Sequence, residues 1–169
     1  MPPEGFGISA RNITVSTVGV VPGIKKLTAE GIPVRLAVSL HAPSDELRDE
    51  LVPMNKRFNT KQVLDAAHDY WLASKRRVSI EYALMRGIND QAEHAQLLAK
   101  RLNHYGDNWA HVNPIPLNPI EGSKWTASKP EDEQRFLETL PRAGITATLR
   151  DTRGQDIDGA CGQLAAKER

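Results

Sequence analysis

The chain has almost no cysteine: Cys161 is the single thiol among 169 residues. An internal disulfide framework is thereby excluded, which fits a reducing compartment or a chain that simply uses little cysteine. Charge of one sign is missing too. Lys and Arg number 22 against 21 Asp and Glu, a formal net charge of +1, so contact with a polyanion has to come from local patches. No apolar run approaches the roughly 20 residues that a membrane helix needs. The opening MPPEGFGISA has no basic stretch followed by an apolar one, so a secretory leader is not expected and a cytoplasmic location is. Internal repeats, low-complexity tracts and linkers are also lacking. The length suits one domain, residues 1–169, with a real core.

What is present is alternation. Short β-branched runs at 12–19 (NITVSTVG), 34–42 (VRLAVSLHA), 78–85 (VSIEYALM), 110–118 (AHVNPIPLN) and 145–152 (ITATLRDT) read as strands. The second is apolar on both faces until its end, as a parallel strand covered by helices would be. Helical patterns lie between. Pro22 suits a first turn that Gly31 ends, and Ser44 suits the N-cap of DELRDELV. Val63, Leu64, Ala67 and Trp71 share a face of a helix expected to finish in the basic turn Lys75-Arg76-Arg77. Leu97, Leu98 and Leu102 mark another, stopped by Gly106, and Ser128 with Glu131 reads as a capping box. This βαβα order implies an α/β fold with a parallel sheet. Periodicity alone does not decide between a closed barrel, part of one and an open sheet.

In such layouts ligands sit at the carboxyl ends of the strands. Those ends carry Ser16 and Thr17, then Ser39 and His41, then Met85 and Arg86, then Asn118, then Arg150 and Asp151. Hydroxyl, imidazole and amide groups on one rim suit a polar small molecule. No acid is placed to orient His41 for a hydrolytic triad. Each residue has an ordinary alternative: a strand end for Ser16 and Thr17, a loop histidine for His41, a turn pair for Asn118-Pro119. Cys161 by itself reads as a small hydrophobe, although Gly154, Gly159 and Gly162 around it argue against burial in a packed core.

In order along the chain, RNITVSTVGVVPGI, LAVSLHAPSDELRDELVPMN, VSIEYALMRGIND, NPIPLNP and TRGQDIDGACGQLA closely resemble the second half of the radical S-adenosylmethionine rRNA adenine methyltransferases, the RlmN/Cfr family. The likeness runs from about Gly5 to about Ala165. It implies a partial (βα)6 barrel around a [4Fe-4S] cluster and S-adenosylmethionine, of which this chain would be the second half. Residues 5–120 would be barrel and 121–169 an extension carrying the cysteine. It implies adenosylmethionine contacts at Ser16, Ser39, Leu40, His41 and Asn118, and the methyl-carrying cysteine at Cys161.

The implied substrates are 23S rRNA and, in the RlmN branch, tRNA. Adenine C2 is an electron-poor amidine carbon, so plain displacement on a methylsulfonium fails there. In the family a cysteine sulfur is methylated first, and a radical made at the cluster then activates that methyl group for addition to the base. A glycine-rich setting would let the sulfur move between partners.

Measured against the family pattern, much is missing. The C-x3-C-x2-C motif that gives a cluster three thiolates is not here, nor are the GGE-type strand, the resolving cysteine, the general-base carboxylate and the N-terminal RNA-binding domain. Alone, the chain is not expected to perform radical chemistry. It is either a natural half that assembles with the other or a truncated remnant or fragment. A half barrel would bare the edge of NITVSTVG, for pairing with an N-terminal half or with a second copy. Two rival functions remain open: a non-catalytic RNA-binding module using Arg150, Arg153 and Lys75-Arg76-Arg77, and a stand-alone α/β fold with an inert cysteine.

Overall fold

The computed structural model describes residues 7–118 and 122–150. Asp151, Arg153 and Cys161 lie outside the described residues. Four strands form one sheet: β1 (Thr14–Thr17), β2 (Arg35–Ser39), β3 (Val78–Leu84) and β4 (Ala110–Pro116), in that spatial order and all parallel. Each strand lies beside the one it follows. That sequential winding belongs to barrels, whereas doubly wound sheets reverse direction.

The helices are α1 (Val21–Glu30), α2 (Asp45–Leu51), α3 (Thr60–Ser74), α4 (Ala92–Asn103) and α5 (Pro130–Arg142). Sequence punctuation explains most of their ends. Pro22 sits in the first turn of α1, and Gly31 closes it at φ 67°, a backbone angle at which glycine has no Cβ penalty. The Ser44 hydroxyl caps α2 by accepting from Leu47 N. Asn59 and Gln62 form a reciprocal capping box on α3. The expected box at Ser128 does not form. Lys129 is the N-cap of α5, and Ser128 Oγ donates instead to Asp90 Oδ2 at 2.7 Å, tying this helix start to the loop after β3. The basic trio also differs from expectation. Helix α3 ends at Ser74, Lys75 caps it in the left-handed region, and Arg76 reaches across to the Arg11 carbonyl.

Alternation along β3 and β4 divides the sheet into two unlike faces. Val78, Ile80, Tyr82 and Leu84 are buried, as are Ala110 and Val112, while Ser79, Glu81, His111 and Asn113 on the opposite face are half-buried. The buried set joins Leu36, Val38, Leu40, Val63, Leu64, Leu98, Leu102 and Phe136 in one core. The helices therefore cover one face. β2, read from sequence as apolar on both faces until its end, has Leu36 and Val38 in the core, while buried Ala37 and half-buried Ser39 share a face with Ser79 and Glu81 by register.

The fifth expected strand is reduced to a single parallel bridge, Val112 with Ala147. Its chain still runs beside β4. Val112 N donates to Thr146 O, Thr148 N to Val112 O, and Arg150 N to Pro114 O. The rung between the last two would need an N–H on residue 114. Proline has none, so the ladder is interrupted by its own sequence.

Arg48, fully buried, pins the strand ends together. Its Nε donates to Leu40 O at 3.0 Å, Nη2 to Val18 O at 2.7 Å and Ser39 O at 3.2 Å, and Nη1 to Asn55 Oδ1 at 2.9 Å. One guanidinium thus serves carbonyls from beyond β1 and from the end of β2. Arg48→Met keeps the bulk and removes the donors. Each buried acceptor left bare costs ~1–3 kcal/mol, so urea denaturation should show a loss of about 3 kcal/mol or more. An unchanged midpoint would contradict this role.

Candidate functional site

The residues expected at the rim do sit at strand ends, but they play different parts. Ser16 lies on the polar face, paired in register with Ala37, and is exposed. Ser39 lies on the same face, level with Glu81, and is half-buried. Neither hydroxyl makes a hydrogen bond among the described residues. Thr17 is spent locally: its Oγ1 accepts from Gly19 N and Val20 N, both at 3.1 Å. Gly19, at φ 101°, lets this loop approach α3, since a Cβ there would stand 2.7 Å from Val63 Cγ2.

Leu40 contributes no free group. Its side chain is in the core, its N–H donates to Glu81 O, and its carbonyl accepts from Arg48. It separates Ser39 and His41 in sequence while its own side chain anchors the strand end in the core. Met85 is buried, and its N–H donates to Asn89 Oδ1 at 2.7 Å. Arg86 is exposed, and its N–H donates to Thr126 O. Asn118 is buried two residues past β4.

His41 is the most constrained of the set. It has φ 59°, a left-handed angle that costs a non-glycine residue roughly 1–2 kcal/mol. Two hydrogen bonds hold it there. Ala83 N donates to its Nδ1 at 3.0 Å, and Asn89 Nδ2 donates to its carbonyl at 2.8 Å. Because Nδ1 accepts, the proton of the neutral ring is on Nε2, and Nε2–H makes no hydrogen bond among the described residues. Burial, aided by the charge of Arg48 and opposed by Glu81, lowers the His41 pKa from 6.5 to about 4. The ring is therefore a fixed neutral donor at ordinary pH.

Asn89 was not singled out from the sequence. Fully buried, it accepts from Met85 N and donates to both His41 O and Ala83 O, linking the ends of β2 and β3. The turn-rich GIND stretch marks a loop there, but nothing in it marks the amide's partners. Glu81 was also missed, since its alternation with Ile80 and Tyr82 reads as a plain solvated position. It heads a polar row with Ser79 and Asn113, whose groups both donate to its Oε1.

This set suits a polar organic molecule with hydroxyl and carboxylate groups: two free hydroxyls and a neutral imidazole N–H. It does not suit a metal centre. No cluster of three or more His, Cys, Asp or Glu fit to hold a metal occurs among the described residues, so the thiolate-held iron–sulfur group implied by the resemblance does not fit them. No helix among them is long and apolar enough to cross a membrane.

Comparison with known proteins decides the lineage. No family model matches the chain. It is 99% identical, over all 169 residues, to the Bifidobacterium longum protein named "Probable dual-specificity RNA methyltransferase RlmN", and covers 43% of that protein. The chain belongs to the RlmN family. A Kocuria rhizophila RlmN of the same designation is 64% identical over 165 residues, with 98% of the chain and 43% of the relative covered. Among solved structures, a radical SAM methyltransferase from Sphaerobacter thermophilus superposes with TM-score 0.86 at 46% identity, covering 92% of the chain and 45% of that protein. The chain thus spans less than half the length of its RlmN relatives and matches their C-terminal part.

The lowered His41 pKa has a consequence for RlmN-family stability. The folded state resists protonation between pH 6.5 and about 4, while the unfolded chain takes up the proton. More protons bound by the unfolded state means stability rises with pH. The contribution is present above pH 6.5 and is lost as pH falls towards about 4. His41→Gln should flatten that acid limb in urea titrations across the range. Identical limbs for both proteins would refute the neutral ring.

Proposed function

We propose that this chain supplies the adenosylmethionine-binding rim and the methyl-carrying Cys161 of an RNA adenine-C2 methyltransferase. The observation that carries the reading is the rim itself. Ser16 and Ser39, near the ends of β1 and β2, present hydroxyls without partners among the described residues, and His41, two residues past Ser39, is held as a neutral donor.

Adenosylmethionine, when bound, supplies methyl groups. Ser16 and Ser39 bind its polar groups, and His41 orients it by donating from Nε2. Leu40 keeps these two neighbours in register, and Asn118 closes the opposite side of the rim after β4. A buried, neutral donor holds an anionic or hydroxyl group without adding a charge that titrates with pH. Cys161 carries methyl on sulfur to adenine C2, an atom too electron-poor to attack a methylsulfonium itself. The substrates are 23S rRNA and tRNA, which sets the work in the cytoplasm, and Arg150 and Arg153 are basic groups on the N-terminal approach to Cys161 that can meet phosphate.

The [4Fe-4S] cluster has no ligand set in the described residues, so it belongs to the remainder of the longer RlmN chain. That remainder docks along β1. β1 is an edge strand, with Ile13, Val15 and Val18 exposed. Beside it a groove of about 340 Å³ opens between β1 and α1, lined by Val15, Val20, Ile24, Leu27 and Leu36, with Ser16, Thr17, Lys26 and Glu30 as its polar members. An unpaired parallel edge with exposed Val15 and Val18, next to a partly apolar groove, is what a neighbouring βα unit would cover.

Two experiments test the reading. The chain, mixed anaerobically with the N-terminal part of a relative, iron, sulfide and adenosylmethionine, should gain one methyl on Cys161 by mass. Ser39→Ala or His41→Ala should weaken adenosylmethionine binding about tenfold each, one hydrogen bond's worth. A Cys161 that never gains the methyl removes the central residue. Separately, Val15→Glu should abolish association with that N-terminal part in sizing experiments. Undiminished association would place the docking surface elsewhere.

A further inference from the structure

Glu81 stands in mid-strand on the polar face, and its two carboxylate oxygens are treated unequally. Oε1 accepts from Ser79 Oγ at 2.8 Å and from Asn113 Nδ2 at 3.0 Å. Oε2 is buried and accepts no hydrogen bond. What answers it is Arg150 Nη1 at 3.9 Å. The partners differ in setting: the Glu81 side chain is 13% exposed and that of Arg150 60%. A pair between two solvated side chains is worth little. A cation over a buried carboxylate oxygen is another matter, because that oxygen has lost its water and has no other donor.

The carboxylate is also held rigidly. Asn113 Nδ2 donates to Ser79 Oγ as well as to Glu81, which turns its Oδ1 towards His111 Nε2 at 2.8 Å. The donors run in one direction, from imidazole to amide to carboxylate. Arg150 meets this fixed acceptor at the place where the backbone ladder is thinnest. Its N–H bonds to Pro114 O at 2.8 Å, Thr148 N bonds to Val112 O at 3.1 Å, and the rung between them lacks its donor because residue 114 is proline.

We propose that Glu81 is a positioning residue: with Arg150 it clamps the segment 145–150 against β4 and so fixes the point from which the chain departs towards Cys161. For its bearing on Cys161 the clamp rests on the function proposed above; as a structural device it does not. Cys161 lies eleven positions beyond Arg150, a span of at most about 40 Å. Moving the anchor moves the whole range open to the sulfur.

Amide hydrogen exchange on the chain tests the clamp directly. Arg150→Gln and Glu81→Gln should each speed exchange at the Thr148 amide about fivefold. Ile80 and Tyr82 in the core should stay unchanged. The double variant should exchange no faster than either single one, and Arg150→Lys should restore part of the protection. Exchange at wild-type rates in Arg150→Gln, or effects that add in the double variant, would overturn the proposal. If Glu81→Gln does not fold, the Arg150 pair of variants decides alone. In the reconstituted enzyme, Arg150→Gln should slow methyl gain on Cys161 severalfold while adenosylmethionine affinity stays as in the wild type. A wild-type Cys161 that gains no methyl would refute the functional reading and leave the clamp to the exchange result. Faster exchange with methylation at wild-type rates would confine the clamp to structure and overturn its positioning role.

Discussion

A single buried guanidinium holds the site together. Where β1 and β2 end, their carbonyls diverge and no strand continues to receive hydrogen bonds. Arg48 fills that gap, with four donor contacts to Val18, Ser39, Leu40 and Asn55. A planar fork with five fixed donors suits this task in a way a lysine ammonium does not. Burial pulls the Arg48 pKa down, and Asp45 and Asp49 pull it back up, so the charge persists in the interior. That charge then acts on the neighbour it positions, helping to keep His41 neutral. Geometry and electrostatics at the rim have one source.

The two faces of the sheet divide the remaining labour. One side is a continuous apolar layer under the helices, and it supplies the burial that folds the chain. The other side is a row of hydroxyl, carboxylate and amide groups with few covering elements. Polar residues are tolerated there because they satisfy one another laterally, as Ser79, Glu81 and Asn113 do. In an RlmN-family chain this arrangement is what a share of a barrel requires: a dry exterior layer and a wet interior surface.

Much of this was legible in the sequence. Alternating β-branched runs and helix punctuation gave the parallel α/β order, and Gly31 and Ser44 terminate α1 and start α2 as read. The short strand-end motifs led to Ser16, Ser39 and His41, which do lie at the ends of β1 and β2. Three things escaped. Arg48 looks like any solvated residue of DELRDEL, because its partners are carbonyls that are 8 to 30 residues away. Ser128 has ideal capping spacing, yet a distant carboxylate, Asp90, claims its hydroxyl. The membership of Ala37 in the polar-face row was hidden because it is apolar and its neighbour there, Ser79, lies on another strand. In each case a long-range partner overrode a local pattern.

Pro114 changes more than a strand assignment. Parallel sheets usually stand or fall as cooperative units, but the 145–150 segment is joined to this one through a ladder that lacks one rung, at Pro114. Such a segment opens at a lower free energy than the layer beneath it. Two stability scales therefore coexist in one small fold: a high one for the helix-covered strands, and a low one for the stretch leading to the C-terminal region. The covered strands can stay native while residues 145–150 open, because the proline at 114 withholds one hydrogen bond from that segment.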